Sequence, residues 1–160
     1  MSDHTALLHE LVDFLVDARR GTYAIPHGNK LADATEEMVW SRGNWVYRDR
    51  YAGNNPYGGH ELVWRDDNVV WMMNYYAEVV SDSLLAKNIS AEKVYAYQME
   101  VLAQPDPNHL MRGPANHASG DFAYANQVDG DLTNFTGEEI ISFQGETVYR
   151  MRFHGGVIGN

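Results

Sequence analysis

The chain has 160 residues, enough for one domain with a hydrophobic core, and its 44% hydrophobic and 21% charged residues are typical of a globular protein. A net charge of −10 without any run of basic residues argues against direct nucleic-acid binding and against an anionic membrane surface. The sequence contains no cysteine, which excludes disulfides, zinc–thiolate sites and thiol nucleophiles.

The predicted elements alternate between single helices and groups of strands. A helix is predicted over residues 5–20, because apolar residues recur at helical spacing (LLHELVDFL) and Gly21 follows them. A second helix is predicted from an N-cap at Ser90 to about residue 103, where prolines stop it. The segments 21–43 and 104–120 are rich in Gly, Pro, Asn and His and are predicted to be loops. Three strands follow each loop: NWVYRDRYAG, HELVWR and NVVWMMNYYAEVV, then FAYANQVDG, EEIISF and ETVYRMRFHG.

The two halves are similar when the chain is aligned with itself. Glu61 then matches Glu139, each two residues after a matched glycine. Long internal similarity of this kind indicates a repeated structural unit. The sequence therefore predicts one domain, 1–160, with an α+β fold. Its two pseudo-repeats, about 5–80 and 90–158, would each be a helix plus a three-stranded antiparallel meander, with the helices packed on one face of the sheet.

The alternation of side chains along the strands predicts two different faces of this sheet. A two-residue turn is predicted before the last strand of each half. In that register Ile141 lies opposite Val148, and Glu139 lies opposite Arg150 as an ion pair. The face predicted to pack on the helices carries Leu62, Trp64, Trp71, Met73, Tyr75, Ile140, Tyr149, Met151 and Phe153.

The opposite face mixes charged and aliphatic side chains, as small-molecule pockets do. We therefore predict a ligand-binding pocket formed by Glu61, Asn74, Tyr76, Glu139, Arg152 and His154. Such a pocket favours a small-molecule-binding or sensor-like regulatory domain. The same face could instead be a homodimer interface or an ordinary solvated surface, and all three interpretations remain open at this point.

The same residues also fit a non-covalent acid–base enzyme. Two nearby carboxylates shift each other's pKa values, and a histidine titrates near neutral pH, so Glu139 or His154 could act as a base. No nucleotide-binding loop, nucleophile elbow or metal-ligand spacing occurs, so neither a cofactor nor a metal is expected. Asp49 and Asn126 are interpreted as strand-end residues. Arg112, in the loop MRGPANH, is interpreted as a turn residue that could otherwise reach an anion or a carboxylate.

The expected location follows from two further features of the sequence. No apolar stretch is long enough to cross a membrane, and no signal peptide is evident at the N-terminus. We therefore expect a cytoplasmic protein. Its expected partners are a small-molecule ligand and, through the mixed face, a second copy of the chain.

Five stretches of the chain resemble a bacterial domain family of unknown function: FLVDARRGTYA, WVYRDRYAGNNPYGGHELVW, VVWMMNYYAEV, MRGP and FTGEEIISFQGETVYRMRFHGGVI. The resemblance extends from Leu11 to Ile158 and departs at Tyr76-Ala77, where glycine is expected after the paired tyrosines. Relatives occur alone or behind an XRE-like helix-turn-helix segment in transcriptional regulators, so the resemblance implies a ligand-sensing or regulatory role and no catalytic residue. Because the first predicted helix leads straight into a loop and strands, we expect this chain to act through a ligand or protein partner rather than by contacting DNA.

Overall fold

The computed structural model describes residues 3–23 and 28–159, which form one nine-stranded antiparallel sheet and three helices. The strands lie in the order β1-β2-β3-β4-β5-β9-β8-β7-β6, so two meanders meet where β5 pairs with β9. None of the helices in the described residues is both long and apolar enough to cross a membrane. In chain order the elements are α1 (Asp3–Tyr23), β1 (Asn29–Lys30), β2 (Glu36–Arg42), β3 (Trp45–Gly53), β4 (Tyr57–Arg65), β5 (Asn68–Val79), α2 (Ser81–Lys87), α3 (Ala91–Leu102), β6 (Asn116–Ser119), β7 (Phe122–Asp131), β8 (Asn134–Phe143) and β9 (Glu146–Val157).

The predicted α+β fold, with two pseudo-repeats of a helix plus a three-stranded meander, is wrong. The strands belong to a single sheet, the short helix α2 follows β5 without having been predicted, and β2 and β6 lie in segments predicted to be loops. β2 pairs with β3 along its whole length, from Glu36 opposite Tyr51 to Arg42 opposite Trp45. Because this pairing satisfies the backbone hydrogen bonds, such strands form without the apolar alternation on which the prediction relied.

The helices and one face of the sheet share a hydrophobic core. α1 continues past Gly21, its predicted end, to Tyr23. A Cβ atom at Gly21 would lie 2.6 Å from the Trp40 ring on β2, so glycine allows helix and strand to approach closely. Ser90 caps α3 as predicted, its hydroxyl accepting from the Lys93 amide at 3.4 Å. The largest buried apolar side chains of this core are Trp71, Tyr47, Tyr149, Phe14, Phe135, Leu11, Leu15, Met73, Ile141 and Met151.

Two β-bulges decide which side chains face this core. The predicted two-residue turns before β5 and β9 are confirmed, but the register then shifts by one residue within each hairpin. Glu139 therefore pairs with Met151 rather than with Arg150, and Ile141 no longer lies opposite Val148, so the predicted register is wrong. A bulge inserts one unpaired residue, and a one-residue slip turns the side chains beyond it to the other face of the sheet.

The bulges exchange residues between the two predicted faces. Glu61 and Glu139 turn into the helix-packed interior, where both are fully buried. Leu62, Trp64 and Ile140, which were predicted for that interior, turn to the outer face and are half-buried there. The remaining residues predicted for the helix-packed face are buried in it: Trp71, Met73, Tyr75, Tyr149, Met151 and Phe153.

Candidate functional site

Four of the six predicted ligand-binding residues lie together on the outer face of the sheet. Asn74 and Tyr76 on β5 lie beside Arg152 and His154 on β9, and Asn74 Nδ2 is 3.5 Å from His154 Nε2. The four line an open groove of about 880 Å³, called the outer groove below, whose other lining residues are Tyr75, Gln127, Val128, Asp129, Thr136, Gly137, Glu138 and Phe153. A ligand-binding role for these four residues stays a prediction.

Two charged residues of the outer groove, Glu138 and Arg152, are paired with each other in contact with solvent, and a third, Asp129, is exposed. Glu138 Oε1 lies 3.2 Å from Arg150 Nε and 3.5 Å from Arg152 Nε, and the Arg152 side chain is 77% exposed. Exposed ion pairs contribute little energy, because water and salt screen them. The charges of Glu138, Arg152 and Asp129 are therefore screened by water and do not require a ligand to balance them.

The other two predicted residues, Glu61 and Glu139, lie in the interior, so their predicted placement beside the outer four is wrong. The slip at the two bulges is the cause, and each carboxylate meets an arginine there. Arg19 Nη2 donates to Glu61 Oε2 at 2.9 Å, and Arg112 Nε donates to Glu139 Oε2 at 3.0 Å. Arg112 Nη1 also lies 3.5 Å from Glu61 Oε1, so Arg112 bridges the two carboxylates.

Two tyrosines complete this arrangement. Tyr23 OH donates to Glu61 Oε1 at 3.1 Å and accepts from Arg112 Nη1 at 2.9 Å, and Tyr124 OH donates to Glu139 Oε1. Burial acts to raise the pKa of Glu61, but the charges of the two arginines outweigh it and lower that pKa below its usual value. The set is called the ion network below: Arg19, Tyr23, Glu61, Arg112, Tyr124 and Glu139.

Arg112 reaches the network from the loop between α3 and β6, so its interpretation as a turn residue misses a role in the interior. It is 4% exposed and has a left-handed backbone, with φ at 76°. Asn126 Nδ2 holds the loop on both sides by donating to the carbonyls of Met111 at 2.8 Å and Gly113 at 2.9 Å. A Cβ atom at Gly113 would lie 2.5 Å from Tyr124 OH, so glycine is needed for this close approach.

Asp49 is a third buried carboxyl group, directly opposite Glu61 in the pairing of β3 with β4. It is 3% exposed, and Tyr75 OH donates to its Oδ1 atom at 2.6 Å. No arginine, lysine or histidine among the described residues forms an ion pair with it. Burial, followed by the negative charge of Glu61, raises the pKa of Asp49 to about 7. Its interpretation as a strand-end residue is wrong, and the alternation from Trp45 through Tyr47 already pointed it inward.

Asp49 faces a cavity of about 110 Å³ between the end of α1, α3 and the sheet. Part of its wall is fixed by hydrogen bonds: Tyr57 OH lies 2.8 Å from Tyr149 OH, and the Gln98 amide on α3 bonds to both hydroxyls. The space is called the tyrosine cavity below, and it is lined by Tyr23, Gly28, Met38, Asp49, Tyr51, Tyr57, Tyr75, Gln98, Met99, Leu102 and Arg112.

The family model described as Domain of unknown function (DUF5680) matches residues 49–158. The chain belongs to the DUF5680 family. The match begins at Asp49 and spans most of the ion network and of the tyrosine cavity, whereas α1 precedes it. The expected resemblance to a family of unknown function is thereby confirmed, and the bacterial origin and the helix-turn-helix association stay predictions. No curated protein and no solved structure matches the chain.

Within the described part of this DUF5680 domain, the buried charges leave one acid without a counter-ion. Arg19 and Arg112 balance Glu61 and Glu139 in the ion network, and Asp49 is the surplus group. A carboxyl group in this position can hold a proton near neutral pH or pair with an incoming cation. In the part of the chain that the structure describes, no group of three or more His, Cys, Asp or Glu side chains could hold a metal ion.

Proposed function

We propose that this DUF5680 domain binds a small molecule in the tyrosine cavity, with Asp49 as the group that recognises it. The observation that carries the proposal is a carboxyl group 3% exposed, without an ion pair among the described residues, beside an open space. Burying such a group costs stability. A fold that keeps it next to a cavity is typical of a binding or catalytic site.

The surroundings of Asp49 support binding because they are fixed before any ligand arrives. Tyr75 holds one carboxyl oxygen of Asp49, and Gln98 together with Tyr149 holds the Tyr57 hydroxyl. A preorganised site loses little conformational entropy when it binds. At about 110 Å³ the cavity is smaller than most pockets for drug-sized ligands, so it takes a small molecule or one end of a larger one.

A sensor-like role follows from the elements that meet at the cavity. Tyr23 ends α1, whereas Gln98, Met99 and Leu102 belong to α3, and the remaining walls come mainly from the sheet. A ligand that contacts all three would stabilise their mutual arrangement, since binding to the folded state adds to its stability. The resemblance to domains of transcriptional regulators agrees with such a role. The outer groove stays a proposal for a second ligand site or a homodimer interface.

One observation favours an enzyme as a second candidate. The pKa of Asp49 is raised to about 7, mainly by burial, and a general acid or base works best with a pKa near the operating pH. In this alternative Asp49, rather than the predicted Glu139 or His154, transfers the proton. The Tyr75 hydroxyl, which donates to Asp49, would orient the carboxyl group.

A thermal-shift screen with small metabolites tests the proposed binding. The proteins compared are wild type, Asp49→Asn, and Asp67→Asn as a control, because Asp67 is exposed in a hairpin turn where asparagine tolerates the positive φ. We expect some compounds to raise the melting temperature of wild type and Asp67→Asn but not of Asp49→Asn. In a further variant, Met99→Trp, the larger side chain fills the cavity. The proposal is contradicted if every stabilising compound raises the melting temperatures of Asp49→Asn and Met99→Trp as much as that of wild type.

A further inference from the structure

We infer that the ligand group bound in the tyrosine cavity is a compact cation of the alkylammonium class. The inference rests on the proposed function, since it names the chemistry of the ligand for the same site. Its support comes from the charges, the aromatic rings and the size of the cavity.

The charge around the cavity is negative when Asp49 is ionised. The two buried arginines are matched by Glu61 and Glu139 at distances of 2.9 and 3.0 Å, so the charge of Asp49 has no counter-ion of its own among residues 3–23 and 28–159. A second carboxylate lies nearby, because Tyr51, which lines the cavity, donates its hydroxyl to Glu36 Oε2 at 2.8 Å. A cation entering the cavity would pair with Asp49, whereas an anion would be repelled by it.

Arg112 also lines the cavity, but its guanidinium group is already engaged. Its Nε and Nη1 atoms donate to Glu139 Oε2 at 3.0 Å and to Tyr23 OH at 2.9 Å. The same group lies 5.5 Å from the centre of the Tyr75 ring and 5.8 Å from that of Tyr23. At these two atoms an anionic ligand would have to compete with the existing partners, and it would be repelled by Asp49 as well. The rings around the cavity thus already accept one cation on their faces.

Two further rings are available for a second cation. Tyr51 and Tyr57 line the cavity, and among the described residues no arginine or lysine lies over either ring. Ammonium groups are attracted to the faces of aromatic rings, and sites that bind quaternary ammonium groups are commonly cages of such rings. Met38, Met99 and Leu102 supply apolar surface for the carbon atoms of the ligand.

The volume sets the size of the group. The cavity measures about 110 Å³, whereas an apolar cavity of about 150 Å³ holds benzene. The bound group therefore has fewer non-hydrogen atoms than benzene, which fits a short or branched alkylammonium and excludes a purine or an indole within the cavity.

Isothermal titration calorimetry with three small probes tests the inference. tert-Butylammonium chloride and tert-butanol have the same shape and number of non-hydrogen atoms, and differ in charge. Sodium propionate, whose anion has the same number of non-hydrogen atoms, is the anionic probe. At pH 8 the ammonium is charged, because alkylamines titrate near the lysine value of about 10.4. We expect tert-butylammonium to bind wild type and Asp67→Asn equally, and Asp49→Asn at least about tenfold more weakly. Wild type should bind tert-butanol at least about tenfold more weakly than the ammonium.

The outcomes separate this inference from the proposed function. If tert-butanol or propionate binds wild type more tightly than tert-butylammonium does, and this binding is lost in Met99→Trp, the cation class is overturned while the proposed cavity stays in place. No binding of tert-butylammonium to wild type, or equal binding to Asp49→Asn, would also overturn the inference. If Asp49→Asn does not fold, judged by near-ultraviolet circular dichroism, Tyr51→Leu takes its place, and a loss of ammonium affinity is again expected.

Discussion

Replacing Arg112 by methionine should destabilise the protein strongly, because Arg112 is the cation shared by Glu61 and Glu139. Arg19 would still pair with Glu61 at 2.9 Å, but of its partners in the described residues Glu139 would keep only the Tyr124 hydroxyl, in a fully buried position. Removing one partner of a buried ion pair costs about 3–5 kcal/mol. The matched control is Arg42→Met, since Arg42 pairs with Asp17 at the surface, where an ion pair contributes about 0–1 kcal/mol.

Urea unfolding followed by circular dichroism measures the difference. With a denaturant slope of about 1–3 kcal/mol/M, the midpoint of Arg112→Met should fall by roughly 2 M and that of Arg42→Met by much less. The double variant Arg112→Met/Glu139→Gln should recover part of the loss, because it no longer buries an unpaired charge. Equal midpoints for Arg112→Met and Arg42→Met, or no recovery in the double variant, would refute the reasoning about the ion network.

Three further predictions concern Asp49, the Arg112 loop and the outer groove. The pKa of Asp49 is raised from 3.8 to about 7, so the folded state holds this proton more tightly than the unfolded state. The stability that this protonated carboxyl group contributes is fully present below about pH 4 and is lost as the pH rises through 7. Between these two pH values, the unfolding free energy of wild type relative to Asp49→Asn should therefore fall by about 1 kcal/mol per pH unit. The groups that interact with Asp49 in this titration are Glu61, Tyr75, Arg112, Arg19, Tyr23, Tyr47 and Tyr51. Gly113→Ala should cost about 1–3 kcal/mol in urea unfolding because its methyl group would meet Tyr124 OH at 2.5 Å, whereas Gly159→Ala, with open space around it, should be neutral. Tyr76→Ala should change the unfolding free energy by less than about 0.5 kcal/mol, because Tyr76 is 59% exposed, and should leave binding in the tyrosine cavity intact; a loss of binding would move the site to the outer groove.

The sequence predicts those turns, caps and strands well whose signals lie in neighbouring residues of the chain. The cap at Ser90, the two-residue hairpin turns and the six long strands follow from turn chemistry and side-chain alternation. β2 was not predicted because its backbone hydrogen bonds are made by pairing with β3, and residues 36–42 alone contain no pattern that indicates this pairing.

The positions of the glutamates could not be predicted for a related reason. A β-bulge is fixed by how the whole sheet packs on the helices, and neither hairpin contains a glycine at the bulge to mark it. Without the bulges, alternation sends Glu61 and Glu139 to the outer face. The burial of Asp49 could have been predicted, because Asp49 continues the alternation of inward-facing residues along β3. The inward direction of Arg112 could not, because it depends on a left-handed backbone that no sequence motif around this arginine indicates.

The ionisation of Asp49 tests the central claim most directly. Carbon-13 NMR of the side-chain carboxyl groups, with Asp49→Asn to assign the signal, gives its pKa in the free protein. We expect a pKa of about 7 for Asp49 in the free protein. Addition of tert-butylammonium should lower this pKa, because a paired cation favours the ionised carboxylate. A pKa near the unperturbed value of about 3.9 in the free protein would show that Asp49 is solvated or already paired, and would contradict the claim.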